Sequence, residues 1–489
     1  MKKYFIYLIA ILILAPILSM GQGYKIKIKV KGVSDTTAYL GNYYADKKYA
    51  IDTIRLDKTG SGTFEGTEPL KGGIYMVLFP SMNLNYFELL VDNNEQNFSL
   101  ETDTLDFTKY MKVKGSPQNT AFFEFHQHMS QLNQVNIPIQ KRMQALPTGS
   151  DSLEIYKDML SKSETELKAY WADLVKQWDG KLFGAIINAM IDVEIPEMTV
   201  PENIANKDSA QQMMKYIYHK DHYFDHINLK DDRMIRTPFL ASRIDQFMTK
   251  VVVQHPDSVI KEGVKLIETA RGTEENFSYL VRYMFGYKDK SKLMGMDKVF
   301  VEISERYYLT GQATWADSAF IEKVRDRVAK EKPNLIGNTA PRLDKLETLE
   351  KQFVSLSDLK NKYIIVAFWE PNCGHCKKTI PALYHTYKDL KQNGFDVQTL
   401  SICTQPEREP WEKFIEEKEL FDWINAYDKY NFNNFRLNYD IYSTPTLYLL
   451  DKDKKIIGKR LAVEQIEQII YSLEGKKAPT RPKSETDSH

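Results

Sequence analysis

The chain has 489 residues, 43% hydrophobic and 27% charged, with a formal net charge of zero. That length predicts about three domains, each with its own core. No basic stripe is present, so no nucleic-acid partner is expected, and three cysteines are too few for a disulfide scaffold.

Residues 1–21 read as a signal peptide. Lys2 and Lys3 precede an apolar run over 4–18, and Ser19, Met20 and Gly21 offer small residues for cleavage. Pro16 and the shortness of the run argue against a retained membrane anchor. No Cys follows, so no lipoprotein anchor is indicated. The mature chain then begins near Gln22 and works in the periplasm or cell envelope, an oxidising compartment.

Residues 22–114 read as an antiparallel β domain, a sandwich or barrel. The stretch 25–30 alternates Lys with Ile or Val, the period of a half-buried strand. Short apolar runs at 74–79, 87–91 and 98–101 are separated by turn residues at 60–62, 72–73 and 92–94. Gly115-Ser116-Pro117 marks a boundary, and 115–332 read as an all-helical domain. Leu153, Tyr156, Leu160, Leu167, Tyr170, Leu174 and Trp178 recur every three or four residues, as on a packed helix face. The stretches 185–193 and 299–309 look similar, and Pro196, Pro201, Pro238 and Pro256 punctuate the helices. His219, His222 and His226 would share one face of a continuous helix, with Asp225 nearby. Three imidazoles are a possible transition-metal set, but the span covers two turns, too far for one ion without ring tilting. Packing or capping is the expected role, and no metal or cofactor is expected anywhere in the chain.

Residues 333–474 read as an α/β domain, followed by a Lys-, Pro- and Ser-rich tail over 475–489 expected to be disordered. Ser357 is expected to cap a short helix. A buried strand over 364–369 runs through a Pro/Asn loop to Cys373 and Cys376 at the start of a helical pattern containing Pro381. Strand, Cys-x-x-Cys and helix in that order make a redox-active pair. At a helix N-terminus, unpaired N–H groups and the positive dipole end favour thiolate, and the thiolate is the nucleophile. Cys373 is therefore the expected attacking thiol. Cys376, one turn further in, is the resolving thiol. His375 between them stabilises the thiolate and makes the pair a better oxidant. Zinc would need further ligands, and the one remaining cysteine is Cys403. Cys403 ends the strand expected over 395–402 and reads as a small buried hydrophobe. Ser443-Thr444-Pro445-Thr446 precedes another apolar run. A Pro starting a strand opposite such a pair predicts a cis Thr444–Pro445 bond, leaving the Thr444 backbone to pair with an extended substrate beside the sulfurs. An amphipathic stretch at 411–420, a hairpin turn at 451–454 and a closing helix at 463–473 complete the domain.

From about 334 to 473 the chain resembles the thioredoxin-like family, in particular envelope thiol–disulfide oxidoreductases of the TlpA/ResA type. The resemblance is carried by Ile336-Gly337-Asn338-Thr339-Ala340-Pro341, Phe368-Trp369, Cys-Gly-His-Cys, Pro381 and Thr444-Pro445. It implies a sheet flanked by helices, a surface Cys373, a shielded Cys376 and a cis Pro445 facing both. Two positions depart from the pattern. The buried Asp that thioredoxins use for proton transfer is replaced by Ala367, with Glu370 the nearest acid. The Gly-His spacing is that of protein disulfide isomerases. Residues 22–114 resemble the β domain of uncharacterised function often fused to such proteins, and 222–238 resemble a stretch of the accompanying helical domain.

The expected function is thiol–disulfide exchange with protein substrates, run as a reductase and restored by a membrane-borne electron donor or acceptor. A binding or scaffold protein with an incidental redox domain is the alternative. Against it stand the intact Cys373, Cys376 and Pro445. A thiol peroxidase ranks below both, because a resolving thiol follows Cys373 at once.

Overall fold

The computed structural model describes residues 23–147 and 150–479. The leader expected over 1–21, and 480–489 of the expected tail, lie outside the described residues. The chain divides into two compact units, one holding residues up to 252 with 265–277, the other 253–264 with 278 onward.

The first unit opens with β1 (Tyr24–Lys31), β2 (Thr37–Tyr44), β3 (Lys47–Arg55), β4 (Ser61–Gly66), β5 (Gly73–Phe79), β6 (Asn85–Val91), β7 (Asn97–Asp103) and β8 (Lys112–Lys114). They form two four-stranded sheets, ordered β4-β1-β7-β8 and β3-β2-β5-β6. In β1 the alternation works as its sequence dictates: Ile26, Ile28 and Val30 are buried and the lysines point outward. Inward residues of both sheets join one apolar cluster, so the sheets form a sandwich. The pairing is antiparallel with one exception. β1 and β7 run parallel, Ile26 opposite Phe98, which corrects the wholly antiparallel reading of this region. A parallel pair needs a crossover, and here the intervening chain makes it, building the second sheet and, with β4, the other neighbour of β1.

Helix α1 (Pro117–Ala145) starts with Pro at its first turn behind Ser116, whose Oγ accepts the Asn119 N–H at 3.2 Å. Asn119, fully buried, brackets one residue of β6. Its Oδ1 accepts the Leu90 N–H and its Nδ2 donates to the Leu90 carbonyl, both at 2.7 Å. In α2 (Asp151–Gln177) the half-buried positions include the apolar stripe read from the sequence. α3 (Leu182–Met190), apolar all round, is buried in the sandwich cluster. α4 (Lys207–His222) and α5 (Pro238–Gln246) follow. Between them Arg233 joins Asp231 and Asp92, tying this connection to the turn after β6.

Helices α6 (Pro256–Thr269) and α7 (Glu275–Phe285) have residues in both units. α8 (Tyr287–Lys290), α9 (Asp297–Ile303) and α10 (Ser318–Glu331) belong to the second. There they precede β9 (Leu346–Thr348), β10 (Phe353–Val354), β11 (Tyr363–Trp369), α11 (Gly374–Gln392), β12 (Val397–Cys403), α12 (Arg408–Lys418), β13 (Ile424–Tyr427), α13 (Phe435–Asn438), β14 (Thr446–Asp451), β15 (Ile456–Lys459) and α14 (Val463–Leu473). The seven strands order as β10-β9-β13-β12-β11-β14-β15. β11 is central, parallel to β12 and antiparallel to β14. Its continuous apolar run follows from burial on both faces. Ile365, Ala367 and Trp369 pack with α11, α12 and α14, while Ile364, Val366 and Phe368 pack with Phe435, Tyr439 and Tyr448. The short 3-10 turn Leu356–Asp358 is capped by Ser355, which exchanges hydrogen bonds with Asp358. Ser357, the expected cap, lies inside that turn: the capping box selects the serine three residues before the acid.

Candidate functional site

β11 ends at Trp369, pinned by its indole N–H donating 2.8 Å to Ser401 Oγ on β12. The chain turns through Glu370, Pro371 and Asn372, and Cys373 becomes the N-cap of α11 in extended backbone (φ −78°, ψ 127°). The helix thus aims its first free N–H groups at the Cys373 sulfur. Partial burial pushes this thiol up, but bonds from the Cys376 N–H, the Cys376 thiol, Thr444 and the His375 N–H outweigh it and hold the group below the ordinary cysteine value. Cys376 is fully buried. Burial pushes it up to about 12, opposed by a hydrogen bond from the Glu370 backbone. Two thiols one turn apart are therefore shifted in opposite directions from the ordinary cysteine value.

The opposite wall is the loop before β14. The Thr444–Pro445 bond is cis, and the Cys373 thiol donates to the Thr444 carbonyl at 3.3 Å. Cys373, Cys376, Thr444 and Pro445 are thus brought together. His375 is exposed beside them on the first turn of α11. Glu370 is placed differently. Its Oε1 accepts from Thr404 Oγ1 at 2.8 Å and from Arg436 at 3.0 Å, so its backbone rather than its carboxylate meets Cys376. Ala367 is buried at the third-last position of β11 and has no polar group to offer.

Cys403 is buried at the end of β12, in register with Trp369. Burial pushes it up to about 12, opposed by a hydrogen bond from the Gln405 backbone. The three histidines of the helical region do not share a face. α4 stops at His222, which pairs with Asp225 at 2.6 Å, while His226 bonds Asn188 at 3.0 Å and His219 stacks edge-on against Tyr223.

Sequence reasoning did not single out Arg436, Thr404 or Tyr442. Tyr442 had a signal in standing next to Ser443-Thr444-Pro445. Arg436 and Thr404 had none, since only the fold brings them to Glu370.

A sheet carrying a Cys-x-x-Cys at its central strand's end, facing a cis-proline loop, defines a thioredoxin-like thiol–disulfide oxidoreductase. Comparison with known proteins places the chain further. Residues 336–459 match the AhpC/TSA family, and 24–122 and 156–334 match two domains of unknown function, DUF4369 and DUF5106. Thiol-disulfide oxidoreductase ResA of Geobacillus thermodenitrificans is 30% identical over 142 residues, 28% of this chain and 78% of that protein. ResA of Bacillus cereus is 26% identical over 150 residues, 31% of this chain and 79% of that protein. Among solved structures, a domain of a possible thiol-disulfide isomerase from Cytophaga hutchinsonii is 36% identical, covering 29% of this chain and 94% of that one, with a TM-score of 0.27. The chain belongs to the ResA family of thiol–disulfide oxidoreductases.

Proposed function

We propose that the protein is a cell-envelope thiol–disulfide oxidoreductase that reduces disulfides in protein substrates through its Cys-Gly-His-Cys dithiol. The observation carrying this reading is the seating of Cys373 at the α11 N-terminus, 3.3 Å from the Thr444 carbonyl beside a cis Pro445 and one turn before a buried Cys376. The Cys373 thiolate attacks one sulfur of the substrate disulfide. A mixed disulfide forms and the other substrate sulfur leaves as thiolate. Cys376 then gives up its proton and attacks Cys373, breaking the mixed disulfide and releasing the second substrate thiolate. Two electrons pass to the substrate, and the protein is left with a Cys373–Cys376 disulfide. A membrane-borne dithiol donor reverses the exchange. His375 favours the thiolate at Cys373, Thr444 and Pro445 seat the extended substrate, and the Cys376 proton passes to the departing substrate thiolate, since the Glu370 carboxylate is held by Thr404 and Arg436. The leader read over residues 1–21 supports the envelope location. Among the described residues no helix is long and apolar enough to cross a membrane.

The test is the equilibrium reduction potential of the pair, measured by exchange with dithiothreitol on the Cys403→Ser variant. A value near about −270 mV supports the reductase; one between about −120 and −180 mV makes the protein an oxidant or isomerase. Failure to cycle removes the oxidoreductase reading and leaves a scaffold.

A further inference from the structure

The loop that ends at Thr444–Pro445 carries an aromatic ring held between arginines. Tyr442, 59% exposed, stands two residues before Thr444, whose carbonyl meets Cys373. The guanidinium of Arg327, on α10, lies 5.1 Å from the ring centroid and donates to the Tyr442 hydroxyl. That of Arg460, just past β15, lies 5.5 Å from the same centroid. Arg436, on α13, is tied to Glu370 in the turn before Cys373.

Each arginine has an acidic partner; those of Arg460 and Arg327 lie beneath, while Glu370, bound by Arg436, is 22% exposed. The Asp440 carboxylate, bound by Arg460 at 2.6 Å, and the Glu331 carboxylate, bound by Arg327, are each 4% exposed, whereas the Arg460 and Arg436 side chains are 47% and 53% exposed. A guanidinium has five N–H donors in a planar fork. The described hydrogen bonds of Arg460 and of Arg436 use the Nη2 group alone. The remaining donors suit a carboxylate taken bidentately. Lys377 and Lys378 are exposed on α11 immediately after Cys376 and add to the field, while Glu370, three residues before Cys373, is bound by Arg436. A substrate strand running past Thr444 brings residues one or two positions from its cysteine over Tyr442, because an extended chain spans about 3.3 Å per residue.

We propose that Tyr442, Arg327, Arg460 and Arg436 form a docking surface for an acidic segment flanking the substrate cysteine. This rests on the oxidoreductase reading above and assigns that site its substrate class. It also gives α10 a part in recognition.

The test uses the reduced full chain and three disulfide-linked peptide dimers, identical except that the cysteine is flanked by Glu, Gln or Lys. Second-order rate constants for their reduction are measured at low and high salt. At low salt the Glu peptide should react about tenfold faster than the Gln peptide, and the Lys peptide slower, the scale of electrostatic steering. At about 0.5 M salt the rates should converge, because screening shortens to a few ångströms. The Glu-to-Gln ratio should fall towards one in an Arg327→Ala/Arg460→Ala variant and largely survive in Arg327→Lys/Arg460→Lys. A general loosening of the loop would lower both rates and leave their ratio unchanged. Equal rates for the three peptides with the native chain overturn the proposal while the oxidoreductase reading stands. So does a preference that persists in the double alanine variant. Failure to reduce even the Gln peptide overturns both.

Discussion

Cys373 and Cys376 are the same residue type one helical turn apart, and their surroundings divide the work. Cys373 is held below the ordinary thiol value by helix N–H groups, and Cys376 is pushed up to about 12 by burial. In the reduced protein the rate of iodoacetamide alkylation at Cys373 should therefore rise with pH through an inflection below that of a free cysteine. Cys376 and Cys403 should stay unlabelled across the same range. Peptide mapping after quenched labelling measures this, and an inflection at Cys373 at or above the free value would refute it. At this scale much was legible. Cys-x-x-Cys after an apolar strand and Thr-Pro before another are local signals, and the cis Thr444–Pro445 bond is where they placed it. Glu370 shows the limit. The sequence identifies it as the nearest acid, but the direction of its carboxylate depends on Arg436, 66 positions away.

Among elements, strongly periodic segments were read well. α14 spans the expected 463–473, and the α2 stripe is half-buried at the expected positions. The hairpin of β2 and β3 went unread, because β3 is mostly exposed and carries little apolar signal. The parallel partnership of β1 and β7 was equally hidden, since alternation fixes which face is buried but not which neighbour a strand chooses. α1 is seated on the sandwich by Phe122, Phe123 and Phe125 in its core and by Gln118 and Asn119, of which Asn119 alone brackets both backbone groups of one β6 residue. Asn119→Ala would strand the N–H and carbonyl of Leu90 in a dry setting, so it should destabilise the protein by about 2–3 kcal/mol. Urea unfolding measures this, and a loss under about 0.5 kcal/mol would show that the amide is dispensable.

At the scale of the whole molecule, helices α8 to α10 share a compact unit with the redox sheet. Asp297 on α9 pairs with Lys459 at the end of β15, the two side chains 15% and 13% exposed. Asp297→Ala leaves that lysine charged and shielded from water, which should cost about 3 kcal/mol. If the unit is cooperative, hydrogen exchange should quicken together in α9 and in β14 and β15; quickening confined to α9 would show that the helices open alone. The order in which the chain is made bears on the other unit. β1 lies between β4 and β7, and its β7 pairing reaches from Lys25 to Asn97 and from Lys31 to Asp103. During synthesis β1 must therefore wait for residue 103 before both its edges are covered, whereas the hairpin of β2 and β3 can close at once. Nascent β1 thus spends that interval with an open edge, a window in which a holding chaperone or a transport machine would meet an unfolded strand.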